Sequence, residues 1–178
     1  MTFQEAATFA GYCRWFESRL FEVVGAWVGV EDEPSVKLAF RAHSFQHGRH
    51  AEIWRERLPV VGSPDPAWDP AALTAPADDA VAALVDALAR PADPSQTIER
   101  LVGVYRVALP HLVALYGDRL ERASPTSDGP TIRSLRHILA DELDAWREGE
   151  RLLQPLLRTR ADVERASSHQ VALESCLL

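Results

Sequence analysis

Apolar residues recur at alternating steps of three and four along three segments of this chain, the spacing of helices that turn one face to a core. The first such stripe reads Ala6, Ala10, Cys13, Glu17, Leu20, Val24 and Trp27. The second reads Val36, Phe40, His43, His47, His50 and Trp54. The third reads Ile132, Leu135, Leu139, Glu142, Trp146, Gly149, Leu153 and Leu156. Burying a carboxylate or an imidazole costs several kcal/mol unless it is paired or bound to a metal, so the polar members of these stripes mark a candidate site.

Helix-terminating residues divide the chain into four long helices. We predict helices over residues 3–30, 34–58, 95–122 (with a kink at Pro110) and 131–157. Short turns join the first helix to the second and the third to the fourth, so each pair is expected to form an antiparallel hairpin. Seven prolines lie in the crossover over residues 59–95, which leaves room for one short helix over residues 78–90.

The predicted fold is therefore all-α, an antiparallel four-helix bundle whose two hairpins are joined by one long crossover. We assign the bundle to residues 1–165 and expect residues 166–178 to form a flexible polar tail. The chain has 178 residues, long enough for one domain with a sizeable core.

Composition narrows the classes of partner. The net charge is −7 and basic residues do not occur in runs, which disfavours nucleic-acid and anionic-membrane binding. Two cysteines, Cys13 and Cys176, are too few for a disulfide framework. The N-terminal residues lack a basic segment followed by a continuous apolar one, so we expect a cytoplasmic protein without a membrane span.

The polar residues of the stripes are expected to converge. Glu17 lies fifteen residues before Asp32 and His47 fifteen after it, so the two stand at the same height in the first hairpin. His50 follows one turn further along the same face. In the second hairpin, Glu142 is expected at the level of His111. We therefore predict one layer at mid-height that contains Glu17, His47, His50, His111 and Glu142.

Two segments resemble helices of the ferritin-like superfamily. They are HSFQHGRHAEIWRERLP, similar to the second helix of that family, and DGPTIRSLRHILADELDAWREGE, similar to the fourth. The resemblance implies a ferritin-like bundle and a di-iron or di-manganese centre held by helix carboxylates and two Glu-x-x-His pairs. It assigns Glu17 as the first-helix carboxylate, His50 as the histidine of the first pair and Glu142 as the glutamate of the second.

Three positions depart from the family pattern. His47 occupies the glutamate position of the first pair, Ala145 occupies the histidine position of the second pair, and the third helix offers His111 instead of a glutamate. Taken with the resemblance, this pattern predicts a diverged metal site for Fe or Mn, with an oxidoreductase-type activity. Its expected metal ligands are Glu17, His47, His50, His111 and Glu142, and its expected catalytic residues are the same set without His111.

Other interpretations of the same residues stay open. The imidazoles and carboxylates could form a hydrogen-bonded structural layer without catalysis. They could instead line a metal-free cavity that binds or transforms a small organic ligand. The acid–base pairs would then be Glu17 with His47, and Glu142 with His50 or His111. A non-catalytic interaction bundle is the third alternative, because Phe9, Phe16 and Val23 form a second apolar stripe that could bind a second copy of the chain.

The polar residues beside the third stripe are expected at the surface. His137 and Asp141 are four residues apart and lie about 100° or more from the Glu142 stripe, so we predict a surface pair. Asp144, Glu148 and Glu150 are expected on the same solvated face.

Overall fold

The computed structural model describes residues 2–59 and 68–177, which form helices and contain no strand. The all-α prediction is therefore confirmed for this part of the chain. The helices are α1 (Phe3–Trp27), α2 (Pro34–Arg55), α3 (Pro70–Leu73), α4 (Asp79–Leu88), α5 (Thr97–Val102), α6 (Leu109–Arg122), α7 (Gly129–Leu153) and α8 (Arg160–Glu174). None of the described helices is long and apolar enough to cross a membrane.

The first hairpin begins and ends at residues whose chemistry explains the boundaries. Thr2 caps α1 by accepting a hydrogen bond from the Glu5 backbone N–H, and the Glu5 carboxylate accepts one from the Thr2 N–H. Helix α2 begins at Pro34, whose missing N–H is not needed in the first turn. Both helices end about three residues earlier than predicted, because the last turns over residues 28–30 and 56–58 are not α-helical.

The crossover contains the predicted short helix. Asp78 caps α4 by accepting a hydrogen bond from the Val81 N–H, as the sequence indicates. The shorter α3 was not predicted; Asp69 caps it and Pro70 occupies its first position. Residues 60–67 of the crossover lie outside the described part of the chain.

A π-helical segment, Gly103–Ala108, joins α5 to α6 at the place where a kink was predicted. The N–H of Leu109, the residue directly after this segment, donates to the carbonyl of Val104, five residues back. Pro110 follows directly and has no N–H to donate. The wider turn thus precedes the proline and carries the helical run through to Arg122.

The C-terminal region differs from the prediction. Residues 166–178 were expected as a flexible polar tail, yet residues 160–174 form α8, capped by Thr159. Ala166 and Leu173 are buried against the core, and Arg165 pairs with Glu99 of α5 at 2.8 Å. These contacts with α5 stabilise a helix whose sequence carries little amphipathic pattern.

Side-chain contacts give the directions of the long helices. His43 and His50 of α2 contact Glu148 and Glu142 of α7, so α2 and α7 are antiparallel. His43 contacts Tyr105 and Trp54 packs on Tyr116, so α2 runs parallel to the α5–α6 run.

At the end of α1, buried Glu31 accepts hydrogen bonds from buried Arg100, with an N–O distance of 2.8 Å.

The second stripe of α1 lies inside the chain. Phe9, Phe16 and Val23 are all buried in the core, so they present no surface to a second copy. Formation of a homodimer stays a prediction, without this stripe as its basis.

Candidate metal centre

Four of the five predicted residues come together in the core. Glu17 of α1, His47 and His50 of α2 and Glu142 of α7 have exposed fractions of 0%, 2%, 1% and 1%. Each offers one ligand atom, and these atoms all lie within 4.8 Å of one another. We call these four residues the His–Glu group. Their convergence follows from helical periodicity, because each lies on the buried stripe of its own helix.

Each imidazole of the group is held between carboxylates. His47 Nδ1 lies 2.7 Å from Glu17 Oε2 and 3.4 Å from Glu142 Oε1. His50 Nδ1 lies 3.0 Å from Glu142 Oε1 and 3.5 Å from Glu17 Oε1. The two histidines therefore share both glutamates, and the four side chains form one electrostatic unit.

The histidines and glutamates of the group each stabilise the charged form of the other. Burial alone would lower the pKa of His47 and of His50, but Glu142 and Glu17 raise them to about 9 and about 11. Burial alone would likewise raise the pKa of Glu17, yet the neighbouring His50 and His47 bring it to about 2. At neutral pH the metal-free group thus carries two imidazolium charges opposite its carboxylates.

Two polar atoms of the group have no hydrogen-bond partner among the described residues. They are His47 Nε2 and Glu142 Oε2, both fully enclosed by protein atoms. Leaving a buried polar atom unpaired costs about 1–3 kcal/mol, more if the group is charged. A purely structural layer would be expected to satisfy them, so these atoms point to a further occupant.

Two residues outside the group hold its members in place, and sequence reasoning assigned neither of them to the site. Tyr116 of α6 donates a hydrogen bond to Glu17 Oε1 at 2.6 Å. Asp141 was predicted on a surface pair with His137, but its Oδ2 lies 3.1 Å from His50 Nε2 and 3.8 Å from His137 Nε2. Carboxylates that accept from the second nitrogen of a ligating histidine commonly fix its ring and tautomer.

A second chain of hydrogen bonds lies one turn away on α2. Burial raises the pKa of Tyr105, so its hydroxyl stays protonated and donates to His43 Nδ1 at 2.6 Å. His43 Nε2–H then donates to Glu148 Oε2 at 3.2 Å, and the Glu148 side chain stays 48% exposed, as predicted for the solvated face. Gly149 makes room for this arrangement, because a Cβ there would collide with the ring of Tyr105.

The acidic face of α7 is in fact mixed. Glu150 pairs with Arg106 of the π-helical segment at 2.7 Å, whereas Asp144 pairs with Arg147 on the exposed surface, as expected of a solvated residue. Trp146, predicted in the core, is 37% exposed, and Ala145 and Ile138 are buried instead. Leu135, Glu142, Gly149 and Leu153 of the predicted stripe are buried as expected, and Ile138 and Ala145 take the places of Leu139 and Trp146.

His111, the fifth predicted ligand, lies outside the His–Glu group. Its Nε2 accepts a hydrogen bond from Tyr12 Oη at 2.8 Å, and its ring stacks on Phe16. Burial lowers its pKa, which keeps it neutral and able to accept. The α5–α6 run instead presents Tyr116 to the group, so the face that carries Leu109, Leu112 and Tyr116 is the one that lies toward the site.

A cleft of about 920 Å³ lies between α2 and α7. We call it the α2–α7 cleft; its lining includes Ala42, His43, Gln46, Asp141, Glu148 and Arg151. None of the four residues of the His–Glu group lines it. The cleft reaches the group only through Asp141, which touches His50, and through His43, one turn from His47.

Comparison with known proteins adds no relative: no family model, curated protein or solved structure matches this chain. Two imidazole nitrogens and two carboxylates form a donor set suited to Fe, Mn or Zn in the divalent state. With both imidazoles neutral, the two carboxylates supply the two negative charges that such an ion requires.

Proposed function

We propose that this chain binds a divalent transition-metal ion, iron or manganese, through Glu17, His47, His50 and Glu142, and acts as a small oxidoreductase-type metalloprotein. The observation that carries the proposal is the burial of four ligand-type side chains together with two unpartnered atoms, His47 Nε2 and Glu142 Oε2. A bound ion would replace the two protons of the imidazolium groups and leave the net charge of the group unchanged.

We also propose that the fold is a ferritin-like four-helix bundle. Two observations support this: α2 runs parallel to the α5–α6 run, and the long crossover connects them. Four-helix bundles with one long crossover have this connection, and their metal sites lie between facing helices at mid-height. In this arrangement α1, α2 and α7 supply the ligands, whereas α6 supplies Tyr116 as a positioning residue.

The residues around the group fit a metal role. His50 turns Nδ1 toward both glutamates and Nε2 toward Asp141, which is the orientation of a ligating histidine held by an outer carboxylate. Tyr116 orients Glu17 in a similar way: its hydroxyl donates to Oε1, and Oε2 of the same carboxylate faces His47. A bound iron or manganese ion would supply redox chemistry that these side chains lack.

The metal-free acid–base alternative has weaker support. The expected pairs Glu17–His47 and His50–Glu142 are present, but each proton is already shared with a buried partner. The α2–α7 cleft, which is large enough for an organic ligand, contacts none of the four. An acid or base must lie within hydrogen-bond reach of its substrate, so this arrangement favours the metal site.

The test is elemental analysis of the protein purified without chelator or metal-affinity resin, then again after reconstitution with Fe²⁺ or Mn²⁺. About one equivalent of metal per chain is expected from a four-ligand site. Glu142→Gln should lose the metal, whereas Asp144→Asn, an exposed change on the same helix, should keep it. Circular dichroism of both variants checks that they are folded. Absence of metal before and after reconstitution of the native chain would overturn the proposal.

A further inference from the structure

The His–Glu group is sealed from solvent, so an ion that binds there needs a route through the protein. Its four side chains are at most 2% exposed. The nearest partly exposed groups that touch it or its neighbouring turn are Asp141, whose side chain is 33% exposed, and Glu148, which is 48% exposed. Both carboxylates line the α2–α7 cleft, and each is hydrogen-bonded to a buried histidine of α2.

We propose that the α2–α7 cleft is the path by which a hydrated divalent cation reaches the His–Glu group, with Glu148 and then Asp141 as its stepping carboxylates. This inference rests on the metal-binding function proposed above. It assigns a role to the α2–α7 cleft and to Glu148, an exposed carboxylate that is not part of the metal site.

One carboxylate of the cleft, Glu148, is placed to attract a cation. Its lining carries four carboxylates and two guanidinium groups, namely Asp141, Asp144, Glu148, Glu150, Arg147 and Arg151. Asp144 is paired with Arg147 and Glu150 with Arg106, which leaves Asp141 and Glu148 with only histidine partners. Burial lowers the pKa of His43, so the partner of Glu148 is neutral and does not cancel its charge. Asp141 faces the imidazolium of His50, so Glu148 is the carboxylate whose histidine partner leaves its charge uncancelled. A carboxylate of this kind at the exposed end of the cleft attracts divalent cations from solution.

The position of the two carboxylates gives the path a direction. Glu148 lies two turns along α7 from Asp141 and is the more exposed of the two. Asp141 touches His50 directly, through the nitrogen that faces away from the two glutamates. An ion that moves from Glu148 to Asp141 therefore arrives beside a residue of the binding group.

The test is the rate of Co²⁺ uptake by the metal-free protein, followed by stopped-flow absorption of the Co²⁺ d–d bands. Gln46→Trp fills the cleft and should slow association at least about tenfold, because a packed interior leaves no room for a hydrated ion. Dissociation should slow by the same factor, since the ion leaves by the path that it enters. The equilibrium dissociation constant should therefore be unchanged.

Matched variants separate the path from general effects. Ala72→Trp fills a different cleft, of about 820 Å³ beside α1, and should leave both rates unchanged. Glu148→Gln should slow association about threefold at low salt and less at high salt, through loss of electrostatic attraction. Glu52→Gln, an exposed change on α2 outside the cleft, should not. Ala42→Trp provides a second way to fill the α2–α7 cleft if Gln46→Trp does not fold.

Three outcomes would overturn the inference. Uptake by Gln46→Trp or Ala42→Trp at the native rate would show that ions use another path. A weaker affinity with unchanged or faster dissociation would show that the cleft residues shape the site instead of leading to it. Equal slowing by Ala72→Trp would remove the specificity of the cleft. Failure of the native chain to bind Co²⁺, Fe²⁺ or Mn²⁺ at equilibrium would instead contradict the proposed function. Equilibrium binding is therefore measured before any rate, so that the two failures can be distinguished.

Discussion

Binding of a divalent metal to the His–Glu group should release two protons. In the metal-free protein the pKa values of His47 and His50 are raised to about 9 and about 11, so both imidazoles are protonated at pH 7. A metal ion binds only the neutral imidazole. Glu17 contributes no proton at this pH, because its pKa is lowered to about 2.

The magnitude follows from the proton count. If two protons leave for each ion that binds, the association constant rises by about 100-fold for each unit of pH up to about pH 9. Removing the two protons at pH 7 costs about 8 kcal/mol, taking about 1.4 kcal/mol for each pKa unit above the solution pH. Metal binding is therefore expected to be weak at pH 6 and strong at pH 8.

The measurement is a Mn²⁺ titration between pH 6 and pH 8 in which electron paramagnetic resonance reports the free aqua ion. Calorimetry in two buffers of different ionisation enthalpy counts the released protons independently. His50→Gln should reduce the proton count to one and weaken binding. His43→Gln should leave it at two, because the lowered pKa of His43 keeps that imidazole neutral and it lies outside the group. An affinity of the native chain that does not change with pH would refute the reasoning.

Four further predictions follow. Asp141→Asn is expected to weaken Mn²⁺ binding by about 10- to 100-fold in the same titration, because a ligating imidazole loses its charged partner; native affinity would contradict that role. In urea denaturation, Gly149→Ala should lower the free energy of unfolding by about 1–3 kcal/mol, because its Cβ would collide with a buried tyrosine ring. Gly117→Ala, with open space around it, should raise that free energy by about 0.5–1 kcal/mol, so equal effects of the two changes would contradict the packing. Arg100→Met should cost about 3–5 kcal/mol, because its buried carboxylate partner is left without a cation, and a loss below about 1 kcal/mol would contradict this. In the metal-free protein, the stabilisation that comes from the raised pKa values of His47 and His50 is complete below pH 6.5 and is lost as pH rises through about 9 and about 11. The stabilisation that comes from the lowered pKa of Glu17 is present above pH 4.5 and is lost as pH falls toward about 2. Denaturation curves at pH 3, 6 and 9 should therefore show the highest free energy of unfolding at pH 6.

The sequence by itself determined the long helical segments and the four polar residues of the His–Glu group that they bury. Glu17, His47, His50 and Glu142 lie on apolar stripes with a period of 3.6, and this period is a local property that does not depend on neighbouring helices. Equal distances from the hairpin turns then placed them at one height. For this reason the four could be found without knowledge of the fold.

The tertiary structure decided the neighbours of the group. The π-helical segment before Pro110 widens one turn, so a constant period does not identify the buried face of α6; the structure directs Tyr116 to Glu17 and turns His111 toward Tyr12. Asp141 and Glu148 lie beside the stripe of α7, and their side chains reach the histidines of α2 only because the two helices pack closely.

The C-terminal helix shows the same division. Its sequence is polar and only weakly amphipathic, so a local pattern gives no strong reason for order, and α8 is held by contacts of Ala166, Leu173 and Arg165 with distant parts of the chain. Helical periodicity is encoded in neighbouring residues, whereas the angle at which helices meet depends on all the side chains between them. The residues of the site could therefore be predicted from the sequence, but the partners that hold them required the structure.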